Sequence, residues 1–241
     1  MRLDKLLANK GYGSRKDVKA LIKKKKVSVN EKIVKDSSSH VNPENDSVKV
    51  NNEMVHYQAF VYIMMNKPPG YVSATVDARD KTVIDLLPDA YKRFNPFPVG
   101  RLDKDTEGLL LITNDGELGH SLTSPKKGIE KTYYADIEGH VTEEDVEQFE
   151  RGIQLNDGYT AKPATLDILR AGRISQVHVI LTEGKFHQVK RMFEAIGKKV
   201  VYLKRVQMGN LKLDSALDSG EFRELTNDEI DSLKNDVQKK S

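Results

Sequence analysis

Residues 100–111 read Gly100-Arg101-Leu102-Asp103-Lys104-Asp105-Thr106-Glu107-Gly108-Leu109-Leu110-Leu111. Three carboxylates and two cations lie between Gly100 and Gly108, and an apolar run over residues 109–112 follows. The run predicts a buried strand, so the charged segment is predicted to be a loop held at the start of that strand. Loops positioned by a rigid sheet often carry catalytic residues. A salt-bridged surface turn fits the same pattern.

Strand patterns recur on both sides of this loop, over residues 60–65, 133–137, 177–181 and 200–203. Thr142 with Asp145 and Thr226 with Glu229 form capping-box pairs that predict two helix starts. Apolar residues at helical spacing predict a further helix over about residues 187–196. Since the strands outnumber the helices and do not alternate with them, we expect an α+β fold with a mainly antiparallel, mixed sheet flanked by helices.

The N-terminal residues predict a separate small unit. A helix is expected over residues 3 to about 9, and a second helix begins after Ser14, which forms a capping-box pattern with Asp17. A strand pattern at Val27 and Val29, a turn at Asn30-Glu31 and a return strand follow this αα-hairpin. Turn-forming residues then lead to a linker near residues 52–60, so we expect domains over 1–58 and 59–241.

Positive charge is concentrated at the N-terminus. Residues 1–35 hold twelve Lys or Arg and three acids, a net charge of +9, whereas the remaining chain carries −6. A concentrated basic surface favours a polyanionic partner, because neutralising phosphates releases counterions. A lysine-rich face that is only solvated is the alternative.

Several mechanisms are not supported by the sequence. The chain has no cysteine, which excludes disulfides and thiolate zinc sites. Neither a phosphate-binding glycine loop nor a GxSxG motif occurs, and the histidines do not pair at the i, i+4 spacing of a helical metal site. We therefore expect no cofactor and no metal. Without a long apolar stretch or a signal-peptide pattern, the protein is expected to be soluble and cytoplasmic, away from membranes.

The segment from Gly100 to Leu110 resembles the signature of the RNA pseudouridine synthases, in particular the RsuA branch. Three further blocks agree in order and spacing: Asn66-Lys67-Pro68-Pro69-Gly70, Lys131-Thr132-Tyr133, and Glu183-Gly184-Lys185-Phe186-His187-Gln188-Val189-Lys190-Arg191-Met192-Phe193. The first 50 or so residues resemble the RNA-binding module named after ribosomal protein S4. The resemblance therefore covers nearly the whole chain.

This resemblance implies an isomerase in which Asp103 initiates the chemistry, either by attacking C1′ of the ribose or by removing the 2′ proton. It implies that Lys190 pairs with Asp103, that Tyr133 stacks on the target base, and that Arg101 orients Asp103 or binds phosphate. Tyr134 should face the other side of its strand. We expect no chemistry from His187, because a lone histidine at a helix start is usually a capping or packing group.

The implied substrate is a uridine of 16S ribosomal RNA, modified by a monomer. The target base must leave its stack, which requires RNA contacts to hold it. A site in 23S ribosomal RNA is the nearest alternative, and a non-catalytic RNA-binding or ribosome-assembly protein is a different class. The expected RNA contacts are Arg2, Lys5, Ser14, Arg15, Lys16, Lys19, Lys23, Asn66, Lys67, Lys185, Gln188 and Arg191. Structural roles fit Asn66, Lys67 and Arg101 nearly as well.

Overall fold

A computed structural model describes residues 1–43, 45–55 and 59–239. The chain divides into two compact units, Met1–Ala59 and Phe60–Ser241. Part of the predicted linker, residues 56–58, lies outside the described residues. Within the described ranges, no helix is both long enough and apolar enough to cross a membrane.

The N-terminal unit packs two helices on a small sheet, as the sequence predicts. Ser14 and Asp17 form the expected capping box, and the turn residues Asn30 and Glu31 both have positive φ, as the tightest β-hairpin turns require. The sheet order is β2-β1-β3-β4. The elements are α1 (Leu3–Asn9), α2 (Arg15–Lys23), β1 (Val27–Val29), β2 (Lys32–Ile33), β3 (Val48–Val50) and β4 (Glu53–Met54).

The second unit is built on a larger sheet. Its strands are β5 (Tyr62–Lys67), β6 (Phe97–Pro98), β7 (Glu107–Thr113), β8 (Lys131–Glu138), β9 (Thr165–Arg170), β10 (Ile174–Leu181), β11 (Lys199–Met208), β12 (Leu211–Lys212) and β13 (Phe222–Glu224). The main order is β13-β5-β7-β11-β8-β10-β9, in which β7 and β11 are parallel and the other neighbours antiparallel. The predicted α+β fold with a mainly antiparallel sheet is confirmed.

Helices cover parts of this sheet. They are α3 (Asp89–Lys92), α4 (Gly116–Thr123), α5 (Glu143–Arg151), α6 (Gln188–Ala195) and α7 (Asn227–Lys239). The predicted starts of α5 and α7 are confirmed by the reciprocal bonds of Thr142 with Asp145 and of Thr226 with Glu229. The apolar side of α6 is buried, and Phe193 packs on Phe149 of α5 with ring centroids 5.0 Å apart. Helix α6 is thereby fixed against the core.

Gly108 allows β7 to lie beside β11. Its φ is +100°, and a Cβ at this position would lie 2.2 Å from the carbonyl oxygen of Arg205. A side chain cannot be accommodated there, so the parallel pairing of Gly108 with Arg205 requires glycine. The charged loop therefore enters β7 along one defined path.

Candidate active site

The loop between β6 and β7 is fixed on both sides of Asp103. Leu102 is buried, and its backbone N–H and carbonyl both bond the hydroxyl of Ser73, at 3.1 and 3.0 Å. After Asp103 the chain turns, and the N–H of Thr106 donates to the Asp103 carbonyl at 3.1 Å. The Asp103 side chain therefore projects from a backbone held by its neighbours.

Lys67 holds the same loop from the end of β5. It is fully buried, and its ammonium donates to the carbonyls of Pro68, Lys104 and Thr106 at 3.0, 3.3 and 2.8 Å. Burial lowers the pKa of Lys67 to about 8, although the nearby Asp105 and Asp103 carboxylates oppose this shift. A buried ammonium bonded to backbone carbonyls favours a structural role for Lys67 over the predicted RNA contact.

Asn66 is also structural. It is buried, and its side-chain amide donates to the carbonyl of Leu217 at 2.8 Å. This bond joins β5 to a segment far along the chain. The bond favours a structural role for Asn66 over the predicted RNA contact.

Two nitrogen groups flank the Asp103 carboxylate. Lys190 Nζ lies 3.6 Å from Oδ2 of Asp103, and His187 Nε2 lies 3.6 Å from Oδ1. The Asp103 side chain is 26% exposed. Lys190 is thus beside Asp103, as the resemblance implies, but its short hydrogen bond of 2.6 Å goes to Asp105. Two carboxylates, Asp103 and Asp105, therefore lie around the ammonium of Lys190.

The bond from Lys190 stabilises the ionised form of Asp105. Burial opposes its ionisation, but the hydrogen bond and charge of Lys190 outweigh this and lower the pKa of Asp105. Lys190 is therefore held between Asp105 and Asp103.

His187 lies beside Asp103, which the sequence analysis did not predict. It precedes α6 with a left-handed backbone, φ +49°, and its side chain makes no capping bond. Its ring stacks on Phe186, with centroids 3.8 Å apart and planes 17° apart. Of the two roles expected for His187, capping is not found and packing is, because the ring stacks on Phe186. The ring also lies beside Asp103. The sequence signal that could have found it is its place within the Glu183–Phe193 block.

Asp103 opens into a small pocket of about 70 Å³. Arg101, Tyr133, Lys185 and His187 also line it. Tyr133 is buried with the core, whereas Tyr134 lies on the other side of β8, where its ring contacts His178 and Tyr202. The predicted opposition of the two tyrosines is confirmed.

Gln188 shapes the wall of this pocket. It is buried, donates to Glu183 at 2.6 Å and accepts from the N–H of Lys185 at 2.8 Å. Glu183 also accepts bonds from Lys162 and Tyr159 that offset its burial, and the pKa of Glu183 is lowered. Gln188 therefore bonds the loop of residues 183–187 at Glu183 and Lys185 from within the protein, and its contact with RNA stays a prediction.

The other expected RNA contacts differ in how free their side chains are. Arg191 pairs with Asp157, Arg2 pairs with the buried Asp4 at 2.7 Å, and the Ser14 hydroxyl is used in the cap of α2. The other six expected contacts are basic residues that are exposed: Lys5, Arg15, Lys16, Lys19, Lys23 and Lys185.

Comparison with known proteins identifies the class. Residues 61–195 match the RNA pseudouridylate synthase family model, and residues 1–48 match the S4 domain. The chain therefore belongs to the RNA pseudouridine synthase family, whose members are isomerases that convert uridine to pseudouridine. The predicted family, enzyme class and S4 module are confirmed.

Individual relatives match along nearly their whole length. An uncharacterized RNA pseudouridine synthase of Bacillus subtilis (strain 168) is 51% identical over 97% of this chain and 98% of its own. Ribosomal small subunit pseudouridine synthase A of Escherichia coli (strain K12) is 40% identical over 97% of this chain and 100% of its own. A crystal structure of a pseudouridylate synthase gives a TM-score of 0.68 at 36% identity, covering 97% of this chain and 99% of that one.

Proposed function

We propose that this enzyme converts one uridine of 16S ribosomal RNA to pseudouridine, with Asp103 as the catalytic carboxylate. One observation carries the proposal: Asp103 is a largely buried carboxylate in a pocket with Tyr133, and Lys190 lies 3.6 Å away. A carboxylate that attacks carbon or removes a proton must be negatively charged, and in a poorly solvated site it needs a nearby cation. Lys190 meets that need.

The reaction breaks the bond between N1 of uracil and C1′ of ribose and joins C1′ to C5 of the turned base. C5 then loses its proton and N1 takes one up, so that product and substrate are isomers. Asp103 starts it by one of two routes, attack on C1′ or removal of the 2′ proton. Tyr133 is proposed to stack on the target base, and Arg101 to orient the phosphate or Asp103. No metal or cofactor takes part in either route.

The choice of 16S RNA is supported by the E. coli relative, which is named for the small ribosomal subunit. The N-terminal domain, residues 1–58, is proposed to hold the RNA through exposed basic residues such as Lys16 and Lys19 on α2. The enzyme is proposed to act as a monomer in the cytoplasm, where it meets ribosomal RNA.

The proposal is tested by incubating the protein with 16S and 23S ribosomal RNA and mapping new pseudouridines by chemical labelling and primer extension. We expect one new site in 16S RNA with the wild-type protein and none with Asp103→Asn. A new site in 23S RNA alone would overturn the target, and full activity of the variant would overturn the role of Asp103.

A further inference from the structure

A second cleft adjoins the Asp103 pocket. It measures about 500 Å³, against about 70 Å³ for the pocket itself. Asp103 lines both, whereas Tyr133 lines the pocket and Phe186 lines the cleft. Since sites that enclose a small ligand usually measure roughly 300–1,000 Å³, the cleft has room for a nucleotide next to the one at Asp103.

Phe186 is unusual for its exposure. The side chain is 69% exposed, although exposing a large apolar ring brings no gain in folding. One face of the ring is covered by the nearly parallel ring of His187, which directly precedes α6. The pair forms a preformed aromatic platform at the edge of the cleft.

Charged side chains of both signs line the cleft, and two of the cations are open to a phosphate. Exposed Arg101 and Lys185 lie beside the aromatic platform, Lys104 pairs with Asp80, and the acidic members are Asp77 and Asp103. Aromatic side chains flanked by cations are the usual means of holding single-stranded RNA, since bases stack on the rings while cations meet the phosphates.

We propose that Phe186, backed by His187, stacks on the base next to the target uridine. When the target base leaves its stack and enters the pocket beside Tyr133, its neighbour loses a stacking partner. Phe186 supplies a replacement and holds the strand in register with Asp103. This inference rests on the proposed function, because it takes Asp103 as the place of reaction.

The test compares Phe186→Ala, Phe186→Leu, Phe186→Tyr and Phe186→Trp in the full-length enzyme. Leu169→Ala, which truncates an exposed apolar side chain on β9, is the control. Loss of one stacked base should raise the RNA concentration for half-maximal rate about tenfold or more in the Ala and Leu variants, with kcat within about threefold. The Tyr, Trp and control variants should resemble wild type. A Leu variant equal to wild type would overturn stacking.

A second arm removes the base instead of the ring. RNA with an abasic nucleotide beside the mapped uridine should bind wild type as weakly as normal RNA binds Phe186→Ala, and the two changes together should cost no more than either one. The abasic nucleotide is placed in turn on each side of the target uridine. If the loss of affinity from Phe186→Ala adds to the loss from the abasic nucleotide at both positions, the proposal is overturned.

Binding is also measured by fluorescence anisotropy with 16S and 23S fragments, independently of turnover. If wild type modifies only 23S RNA, the proposal that the substrate is 16S RNA is overturned. The Phe186 variants are then compared with wild type on 23S RNA. If neither RNA is modified, the proposed function fails, and equal affinity of wild type and Phe186→Leu for these fragments would still overturn stacking.

Discussion

At the residue scale, the arrangement around Asp103 separates two carboxylates that are close in sequence. Asp105 takes the short bond from Lys190 and is largely exposed, whereas Asp103 is more buried and has two nitrogen groups at 3.6 Å. The more buried carboxylate keeps a positive neighbour without a short hydrogen bond that would hold its oxygen. Asp103 is thus the better placed of the two to meet substrate.

The first prediction uses this difference. Asp103→Asn should reduce pseudouridine formation by at least about 10³-fold, because it removes the charge that is proposed to initiate the reaction, while RNA affinity changes only a few-fold. Asp105→Asn is the matched control and should retain activity within about tenfold. Single-turnover rates with mapped RNA measure both. Equal losses in the two variants would assign the chemistry to the loop as a whole.

The second prediction concerns Lys190. Lys190→Ala should lower kcat by about ten- to a hundredfold. This loss is smaller than that expected for Asp103→Asn, because the side chains of Lys190 and Asp103 are partly exposed and water screens the lost charge. Lys190→Arg should recover much of the rate, since it restores the charge. Rates at saturating RNA give the result. Arg191 is engaged by Asp157, so an unchanged Lys190→Ala rate would point to His187 or Arg101 as the partner of Asp103.

At the element scale, the end of β5 and the loop before β7 form one structural unit. Lys67 joins them through three carbonyls, and two of these lie 37 and 39 residues away in sequence. Such a contact depends on how distant segments pack against each other. Local sequence patterns carry no information about that packing. For this reason the sequence alone does not decide between a phosphate contact and a structural role for Lys67.

The third prediction follows from the lowered pKa of Lys67. Its folded pKa of about 8 lies below the ordinary unfolded value of about 10.4, so above pH 8 the unfolded state binds more protons. The free energy of unfolding should therefore gain up to about 3 kcal/mol from this group as pH rises from about 8 to 10.4. Lys67→Met should lack this gain.

Urea unfolding of both proteins between pH 7.5 and 10 measures the difference, because other titrating groups are common to both. Lys67→Met should also be less stable at pH 7.5 by about 2–3 kcal/mol, since it leaves buried carbonyls without a donor. A difference that stays constant with pH would show that Lys67 is not desolvated in the folded protein.

Elements with strong local signals were predictable from the sequence. The capping boxes at Ser14, Thr142 and Thr226 and the apolar strand of β7 carry their signals within a few residues, and all are found in the structure. The site was predictable as a set of motifs, because Asp103, Tyr133 and Lys190 do converge. The position of the His187 ring was not predictable, because its approach to Asp103 depends on a left-handed backbone before α6.

At the scale of the whole molecule, charge is divided between the two units. Residues 1–59 carry a net charge of +6 and residues 60–241 carry −3, so general attraction to RNA should come mainly from the N-terminal unit. In the second unit, several cations are paired with carboxylates, such as Lys190, Arg191 and Lys198. Capture of RNA and chemistry on it are therefore expected to be separable properties.

The last prediction tests that separation. Neutralising Lys16, Lys19 and Lys23, all exposed on α2, to Gln should raise the RNA concentration for half-maximal rate at least tenfold while kcat stays within about threefold. Each phosphate contact contributes roughly −0.7 to −0.9 to the slope of log affinity against log salt, so losing three should make the slope shallower by about 2. The control neutralises three exposed lysines of the second unit, Lys126, Lys199 and Lys234, removes the same net charge, and should leave the slope nearly unchanged. Identical slopes for the two triple variants would show that the lysines of α2 form only a solvated surface, because their charge would then act no differently from charge placed elsewhere on the protein.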